Sequence, residues 1–427
     1  MAHPETPGTG GAPATRASSP RRLGLARMTG RDPGEAHRAA TPLELFYDLT
    51  LVVAFGAASD ELAHLLAGGV VAGAVLGFTF VMFAIVWAWL NYTWFASAYD
   101  TDDWGFRLLT MVQMIGVLVI ALGASDFLSS IAEGVGPHNE VVIAGYVVMR
   151  VSMVALWVRA GRGDPERRAT CYRFAGLTAL AQVGWVLTGV LDAGFGVEIS
   201  LATALILFEV LAPAIGSGRR SRLPWHPHHL AERFGLLAII ALGEGVLGTT
   251  AAIRAAVAET GWSADAVVVA VAGVLTIFGM WWAYFSVPSA RILVARRQRS
   301  GLFGYGHIPL YASIAAVGAG LHVSALYLED HSELSELGTL LAVAVPLTVY
   351  IALAFVGYSL LVRAFDAFHL VLAGAYVVLA ALGVGLAAAG APLPVALLAL
   401  SLAPWTWAVG YETLGRRHME EHLARLR

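Results

Sequence analysis

The stretch VVAGAVLGFTFVMFAIVWAWLNYTWF, Val70–Phe95, runs for 26 residues without a charged side chain. As an α-helix it would extend roughly 39 Å, enough to cross the ~30 Å hydrocarbon core of a bilayer. Hydrocarbon offers backbone groups no water to bond, so a lone segment of this kind spans as a helix. The pattern repeats outward from it. Apolar blocks run near 43–66, 70–95, 107–126, 141–160, 172–191, 198–215, 232–252, 262–285, 305–327, 337–360, 369–388 and 391–411. Of 427 residues, 58% are hydrophobic and only 13% charged, against the ~25% charge usual in soluble proteins. The expected fold is all-α: a polytopic transmembrane helical bundle of about 12 spans.

The basic residues test that count independently. All 27 are Arg, with no Lys; this reads as coding bias and carries no mechanism. With the N-terminal tail in the cytoplasm, the inside segments hold six tail arginines, Arg107, five from Arg159 to Arg173 and four from Arg219 to Arg233. Four more run from Arg291 to Arg299, then Arg363, then four from Arg416 onward. Only Arg254 falls outside, and Arg150 falls mid-span. The outside links are acidic instead: Glu133, Glu140, Asp192, Glu198, Glu329, Asp330, Glu333 and Glu336. Positive charge on the inside therefore predicts cytoplasmic N- and C-termini.

Residues 1–40 are rich in Pro, Gly, Ser, Thr and Arg and read as a disordered cytoplasmic tail, not a signal peptide. Residues 416–427 form a second cytoplasmic tail. The net charge of −3 gives no sign of nucleic-acid binding, and Cys171, the single cysteine, excludes an internal disulfide. Its loop carries Arg167, Arg168 and Arg173, which places it on the reducing side.

A weak internal repeat divides the rest. Glu44, Phe46 and Leu49 match Glu232, Phe234 and Leu237 at one offset, and Ile85, Trp89 and Tyr92 match Ile277, Trp281 and Tyr284. A six-span offset preserves orientation, so two parallel six-helix halves are expected, 41–216 and 217–415.

Ionisable groups at membrane depth are costly, and function is sought at them first. Thr41-Pro42-Leu43-Glu44 reads as a capping box, Thr41 at the cap and Glu44 reaching back to it. Asp48 lies about 10 Å in from the cap; it is either an interfacial carboxylate or a cation or proton site lining a vestibule. Glu244 lies about 18 Å deeper than Glu232, near mid-span, among Gly243, Gly245 and Gly248. It is either a buried packing acid or a proton-coupling or ion-coordinating group, and the second reading leads. Arg150 needs an anion, with Glu209, Glu244 and Asp48 as candidates; a structural pair and an anion-binding or gating role stand level.

His226, His228, His229 and Glu232 cluster at the start of span 7, where interfacial histidines and a helix-start acid explain them better than a metal; no metal site is expected. His307 and His322 share span 9 as core histidines or a proton relay. Trp87, Trp89, Tyr92, Trp94, Trp281, Trp282 and Tyr284 read as interfacial aromatic belts. The sequence holds no phosphate loop, nucleophile elbow, zinc-protease motif, or haem or dinucleotide fingerprint.

Thr41-Pro-Leu-Glu-Leu-Phe-Tyr-Asp-Leu49 resembles the signature of the bacterial low temperature requirement A (LtrA) family, as does His229-Leu-Ala-Glu-Arg-Phe-Gly-Leu-Leu-Ala-Ile-Ile-Ala-Leu-Gly-Glu244. Tyr305-Gly-His307-Ile-Pro309-Leu is similar to a third family motif. The resemblance covers nearly the whole chain after the tail. Tyr47 stands where the family usually has Phe, and Gly245 where Ser is common beside the acid. The resemblance implies a multi-span protein of a bacterial cytoplasmic membrane, and the family name records a cold-growth phenotype, not a reaction. More loosely, Phe46-Tyr-Asp48 is similar to the Phe-Ser-Asp of lysosomal-type potassium channels, with Tyr47 in place of Ser.

Three functions are weighed. The first is an ion- or proton-coupled small-solute transporter using Glu244 with Asp48, Arg150 and His322, its pathway also drawing on Glu209, Glu232 and His307. The second is a cation channel, and the third a membrane-embedded enzyme or structural protein. The expected partners are the lipid bilayer and protons, cations or a small solute; neither enzymatic activity nor a cofactor is expected.

Overall fold

Each apolar block coils into helix, and the residues at its ends explain where it starts and stops. The structure is a computed structural model describing residues 24–35, 38–134, 138–191, 193–217, 223–363, 367–415 and 419–420, with backbone alone at 251–252, 255–256 and 258–260. The long helices are α1 (Pro42–Ala67), α2 (Val71–Tyr99), α3 (Trp104–Glu133), α4 (Glu140–Gly163), α5 (Arg168–Val190), α6 (Phe195–Gly216) and α7 (Pro227–Thr260). They continue as α8 (Ala264–Phe285), the short α9 (Ser289–Ala295), α10 (Ser300–Leu328), α11 (Glu336–Val362) and α12 (Ala367–Ala388). The chain closes with α13 (Leu393–Ser401), α14 (Trp405–Gly410) and a π turn at Tyr411–Gly415. No strand occurs among the described residues.

Thr41, Asp103, Ser263 and Ser335 cap α1, α3, α8 and α11 through side-chain oxygens, satisfying amides that have no partner in the first turn. Pro42 and Pro227 occupy the first turns of α1 and α7, where no N–H is needed. The last apolar block does not run through as one helix. Pro404 cannot donate to the preceding turn, and the chain breaks there into α13 and α14.

Ten helical stretches among the described residues are long and apolar enough to cross a membrane: α1 to α4, α6, α8 with α9, α10, α11, α12, and α13 with α14. The other two long helices, α5 and α7, have 23 and 34 residues. Polarity is inside out. On α6, Glu198 and Glu209 are buried while Leu207, Leu211 and Ile215 are each 57% exposed. That distribution suits a lipid solvent and not water.

At the centre, α1 packs on α2, α3, α7 and α10, and α10 also packs on α11. Helices α5 and α6 lie outside α4, while α12 to α14 cover α8 and α11. Small residues admit the closest approach: a Cβ on Gly145 would stand 2.7 Å from the Gly116 carbonyl oxygen, so α3 and α4 meet backbone to backbone.

Of the 1–40 tail, residues 24–35 and 38–40 lie within the described residues, and they rest on the bundle. Met28 is buried, Arg27 donates to the Gly163 carbonyl at 2.8 Å, and the Arg31 amide to the Ala98 carbonyl at 2.9 Å. Asp192, Arg219, Arg220, Arg222 and the arginines from Arg416 onward lie outside the described residues, as does the chain just beyond the 216/217 division. Cys171 is not in a loop. It sits in the first turn of α5, fully buried, with its sulfur 3.5 Å from the Tyr99 hydroxyl.

Candidate functional site

The matched residues of the sequence repeat have different surroundings. Glu44 is buried and Glu232 exposed; Phe46 is 58% exposed and Phe234 buried, while Trp89 is buried and Trp281 38% exposed. Helices α1 and α7 start side by side, the Ala40 amide donating to Glu232 at 3.3 Å. Glu44 and Asp48 are one turn apart on α1 and share a face. Arg233 of α7 enters between them. Its Nε donates to Asp48 Oδ2 at 2.9 Å and one Nη to Oδ1 at 2.5 Å, a fork-to-fork pair. The other Nη lies 3.1 Å from Glu44 Oε1. His229, one turn earlier, places Nε2 3.2 Å from Glu44 Oε2, and the Trp89 indole donates to Asp48 at 2.6 Å. Glu44, Asp48, His229, Arg233 and Trp89 are all fully buried.

The structure bears out one expectation here and corrects two. The capping box exists, with Thr41 N–H donating to Glu44 at 2.8 Å and Glu44 N–H to Thr41 at 3.2 Å, yet the same carboxylate also neutralises Arg233. Asp48 neither touches headgroups nor lines a vestibule, because Arg233 and Trp89 consume both its oxygens. Trp87, Trp89 and Tyr92 are core residues rather than an interfacial belt; their polar edges point inward to carboxylates and a threonine. Arg233 escaped selection as one of the cytoplasmic arginines. Its signal was position: Phe-Gly-Leu-Leu-Ala-Ile-Ile follows it directly, so it already stands inside an apolar block.

Arg150 pairs with Glu209 at 3.1 Å, settling which of its three candidate anions it uses. Glu209 also accepts from Trp87 and Tyr146, each at 2.6 Å, and from Trp185 at 3.0 Å. With that many donors the carboxylate is fully solvated by the protein. His307 is a core histidine: Nδ1 donates to the Phe303 carbonyl at 2.7 Å and Nε2 lies 3.0 Å from the Tyr284 hydroxyl.

Glu244 has a different setting. It opens into a cleft of about 370 Å³ between α1, α7 and α10, with Ser59, Asp60 and His322 on its walls. Among the described residues it forms no hydrogen bond or ion pair. A Cβ on Gly56 would stand 2.5 Å from Glu244 Oε1, so only glycine leaves the carboxylate its place. Beyond it, His322 Nδ1 lies 3.1 Å from Asp60 Oδ1. The His64 ring packs edge-on to His322, with centroids 5.4 Å apart, and its Nε2 is 3.9 Å from Asp60 Oδ2. Asp60 and His64 were not among the sequence candidates. Their signal was the i, i+4 spacing of Asp60 and His64 on one helical face, hidden because both fall near the expected end of span 1.

Along α1 the two sites separate cleanly. Asp48 lies roughly 9 Å from the start of the helix, Gly56 about 21 Å and Asp60 about 27 Å. Between them α1 contributes Leu51, Ala54 and Phe55, and α7 contributes Leu237, Ala238 and Ala241, all buried. Glu232 and His228 are exposed and stand apart from both sites. His226 Nδ1 accepts from the His229 amide at 3.3 Å and so caps α7.

Compared with known proteins, residues 39–404 match the model of the bacterial low temperature requirement A protein (LtrA) family. The chain belongs to the LtrA family. A relative of Rhizobium meliloti (strain 1021), itself an uncharacterized protein, is 29% identical over 291 residues, covering 65% of this chain and 67% of that one. No solved structure matches. The two LtrA-like stretches at 41–49 and 229–244 are the two strands of sequence that the Glu44–Asp48–Arg233–His229 cluster ties together.

Just outside the spans, Asp103 and Asp100 show how the bundle end handles charge. Burial alone would raise Asp103, but hydrogen bonds from Arg159 and the Phe106 amide hold its carboxyl down to about 2. Burial, then the nearby Glu44 charge, push Asp100 up to about 6.

Proposed function

We propose that this LtrA-family protein is a proton- or ion-coupled small-solute transporter of a bacterial plasma membrane. The proposed topology has twelve spans in two six-helix halves with both termini cytoplasmic. The arginine distribution supports it, and α5 and α7, at 23 and 34 residues, have the length to complete the count.

One observation carries the functional reading: the half-buried, unpaired Glu244 at the floor of a cleft that ends against solid packing. A carboxylate at membrane depth with water-sized space around it can exchange a proton or bind a cation; one enclosed by donors, such as Glu209, cannot. In this reading the cleft opens away from the cytoplasm. The apolar layer from Leu51 to Ala241 and the buried Arg233 cluster form the closed side, as alternating access requires. Proteoliposome uptake driven by a pH gradient, wild type against Glu244→Gln, is the test. Uptake that ignores both the gradient and the substitution overturns the reading.

A further inference from the structure

Asp60 and His322 line the cleft and His64 stands beside them; coupling through Glu244 requires none of the three. Asp60 and His64 project from one face of α1, and His322 meets them from α10. One ligand atom from each residue lies within 4.8 Å of the other two. We propose that Asp60, His64 and His322 bind a first-row divalent transition-metal cation, and that such cations are the solute class the cleft admits. The cargo role, unlike the binding site, rests on the transport reading above.

The geometry is near what a metal needs. Two ligands of a tetrahedral centre with bonds of about 2.0–2.1 Å stand roughly 3.3–3.4 Å apart. His322 Nδ1 and Asp60 Oδ1 are 3.1 Å apart, already at that separation. The His64 Nε2–Asp60 Oδ2 gap of 3.9 Å is wider by about half an ångström, within reach of a small side-chain rotation. Both side chains are free to make it, being 55% and 61% exposed.

The donor chemistry selects the ion. Two imidazoles and one carboxylate suit Zn²⁺, Co²⁺, Ni²⁺ or Fe²⁺, whereas Mg²⁺ and Ca²⁺ take all-oxygen shells. Three protein ligands leave a fourth position to water, the open arrangement of an exchangeable rather than a structural ion. The site also has a second step. Gly56 is one turn from Asp60, so the Glu244 carboxylate it admits lies about 6 Å farther in. Asp60 and Glu244 together supply two negative charges to a divalent ion moving inward.

A purely structural explanation accounts for less. A solvated His–Asp pair explains Asp60 with His322. It gives no reason for a second imidazole on the same carboxylate, or for an unpaired Glu244 held open by a glycine.

The test uses the full-length protein, purified in detergent without a polyhistidine tag and titrated with Co²⁺ at pH 7.5. The expected result is one bound equivalent with the visible ligand-field bands of a tetrahedral site, displaced by Zn²⁺ and not by Mg²⁺ or Ca²⁺. His64→Ala removes a side chain that is 55% exposed and touches the bundle only through the His322 ring edge, so the protein stays folded while affinity falls at least about tenfold; Asp60→Asn and His322→Gln lower affinity likewise. No stoichiometric Co²⁺ binding, or binding unchanged in these three variants, overturns the site. Proteoliposome measurements separate the two proposals. Metal bound at this site with no Zn²⁺ uptake keeps the site and removes the cargo role; pH-driven solute uptake by protein that binds no metal removes the site and keeps transport.

Discussion

Helices α1 and α7 carry two sets of ionisable side chains under opposite physical regimes. Toward their starts, Glu44, Asp48, His229 and Arg233 are fully buried and pair with one another. Toward the other end, Asp60, Glu244 and His322 border the cleft, His64 lies exposed beside them, and the four are only partly paired. Burying a charge pair costs desolvation on both partners, which only good geometry recovers. The first set has that geometry in the Arg233–Asp48 fork, and its charges face one another with no free volume between them; it holds α1 to α7. The second set has free volume beside it and an unpaired carboxylate in Glu244, and so retains room to take a ligand. Ionisable residues in a membrane protein are thus not equally informative: free volume beside the charge separates a lock from a site.

The comparison breaks most easily at Arg233. Arg233→Ala leaves the buried Asp48 without a counter-ion and Glu44 with only the more distant Arg38, 3.9 Å away, at a cost of about 3–5 kcal/mol. Thermal unfolding in detergent should show a large loss of stability or no folded protein; a Tm close to wild type would mean the cluster is not the lock described here.

Next comes Asp100, on the rim of that cluster. Its folded-state pKa of about 6 lies above the ordinary 3.8, so its contribution favours folding at low pH and is lost as pH rises through about 6. Asp100→Asn should therefore raise Tm by about 2–4 °C at pH 7.5 and change little at pH 4. A gain that is the same at both pH values would contradict the assignment.

On the open side, substitutions should spare stability and strike activity. Gly56→Ala pushes the flexible end of Glu244 aside, with a stability change below about 1 kcal/mol, and pH-driven uptake should fall. The smallest effect on stability belongs to Glu244→Gln, within about 0.5 kcal/mol because no partner is lost. Its uptake should nevertheless fall at least about tenfold, equivalent to ~1.4 kcal/mol on a barrier. If Glu244→Gln instead unfolds the protein while Arg233→Ala is tolerated, lock and site have been assigned the wrong way round.

Much of this was legible in the chain itself. Blocks of about 20 apolar residues have one stable solution in hydrocarbon, so helices were determined by length and composition alone. Thr41, Pro42 and Glu44 specified the start of α1 because capping is local chemistry among residues three apart. Glu244 stood out as an acid among glycines near mid-span.

The partner of each charge was decided only by the tertiary structure. Asp48 and Arg233 are 185 residues apart, and no periodicity within α1 or α7 says which faces of the two helices meet. Arg150 had three acids to choose from, and helix packing chose Glu209. Trp89 has the residue type of an interfacial belt, yet packing turned its indole inward to Asp48. Asp60 and His64 had the spacing to share a face, but His322 had to arrive from α10 before that face became a site. Sequence sets which segments enter the membrane because that depends on each segment's own transfer energy. Pairing and free volume depend on how helices distant in the chain pack, and that is where a lock and a site part company.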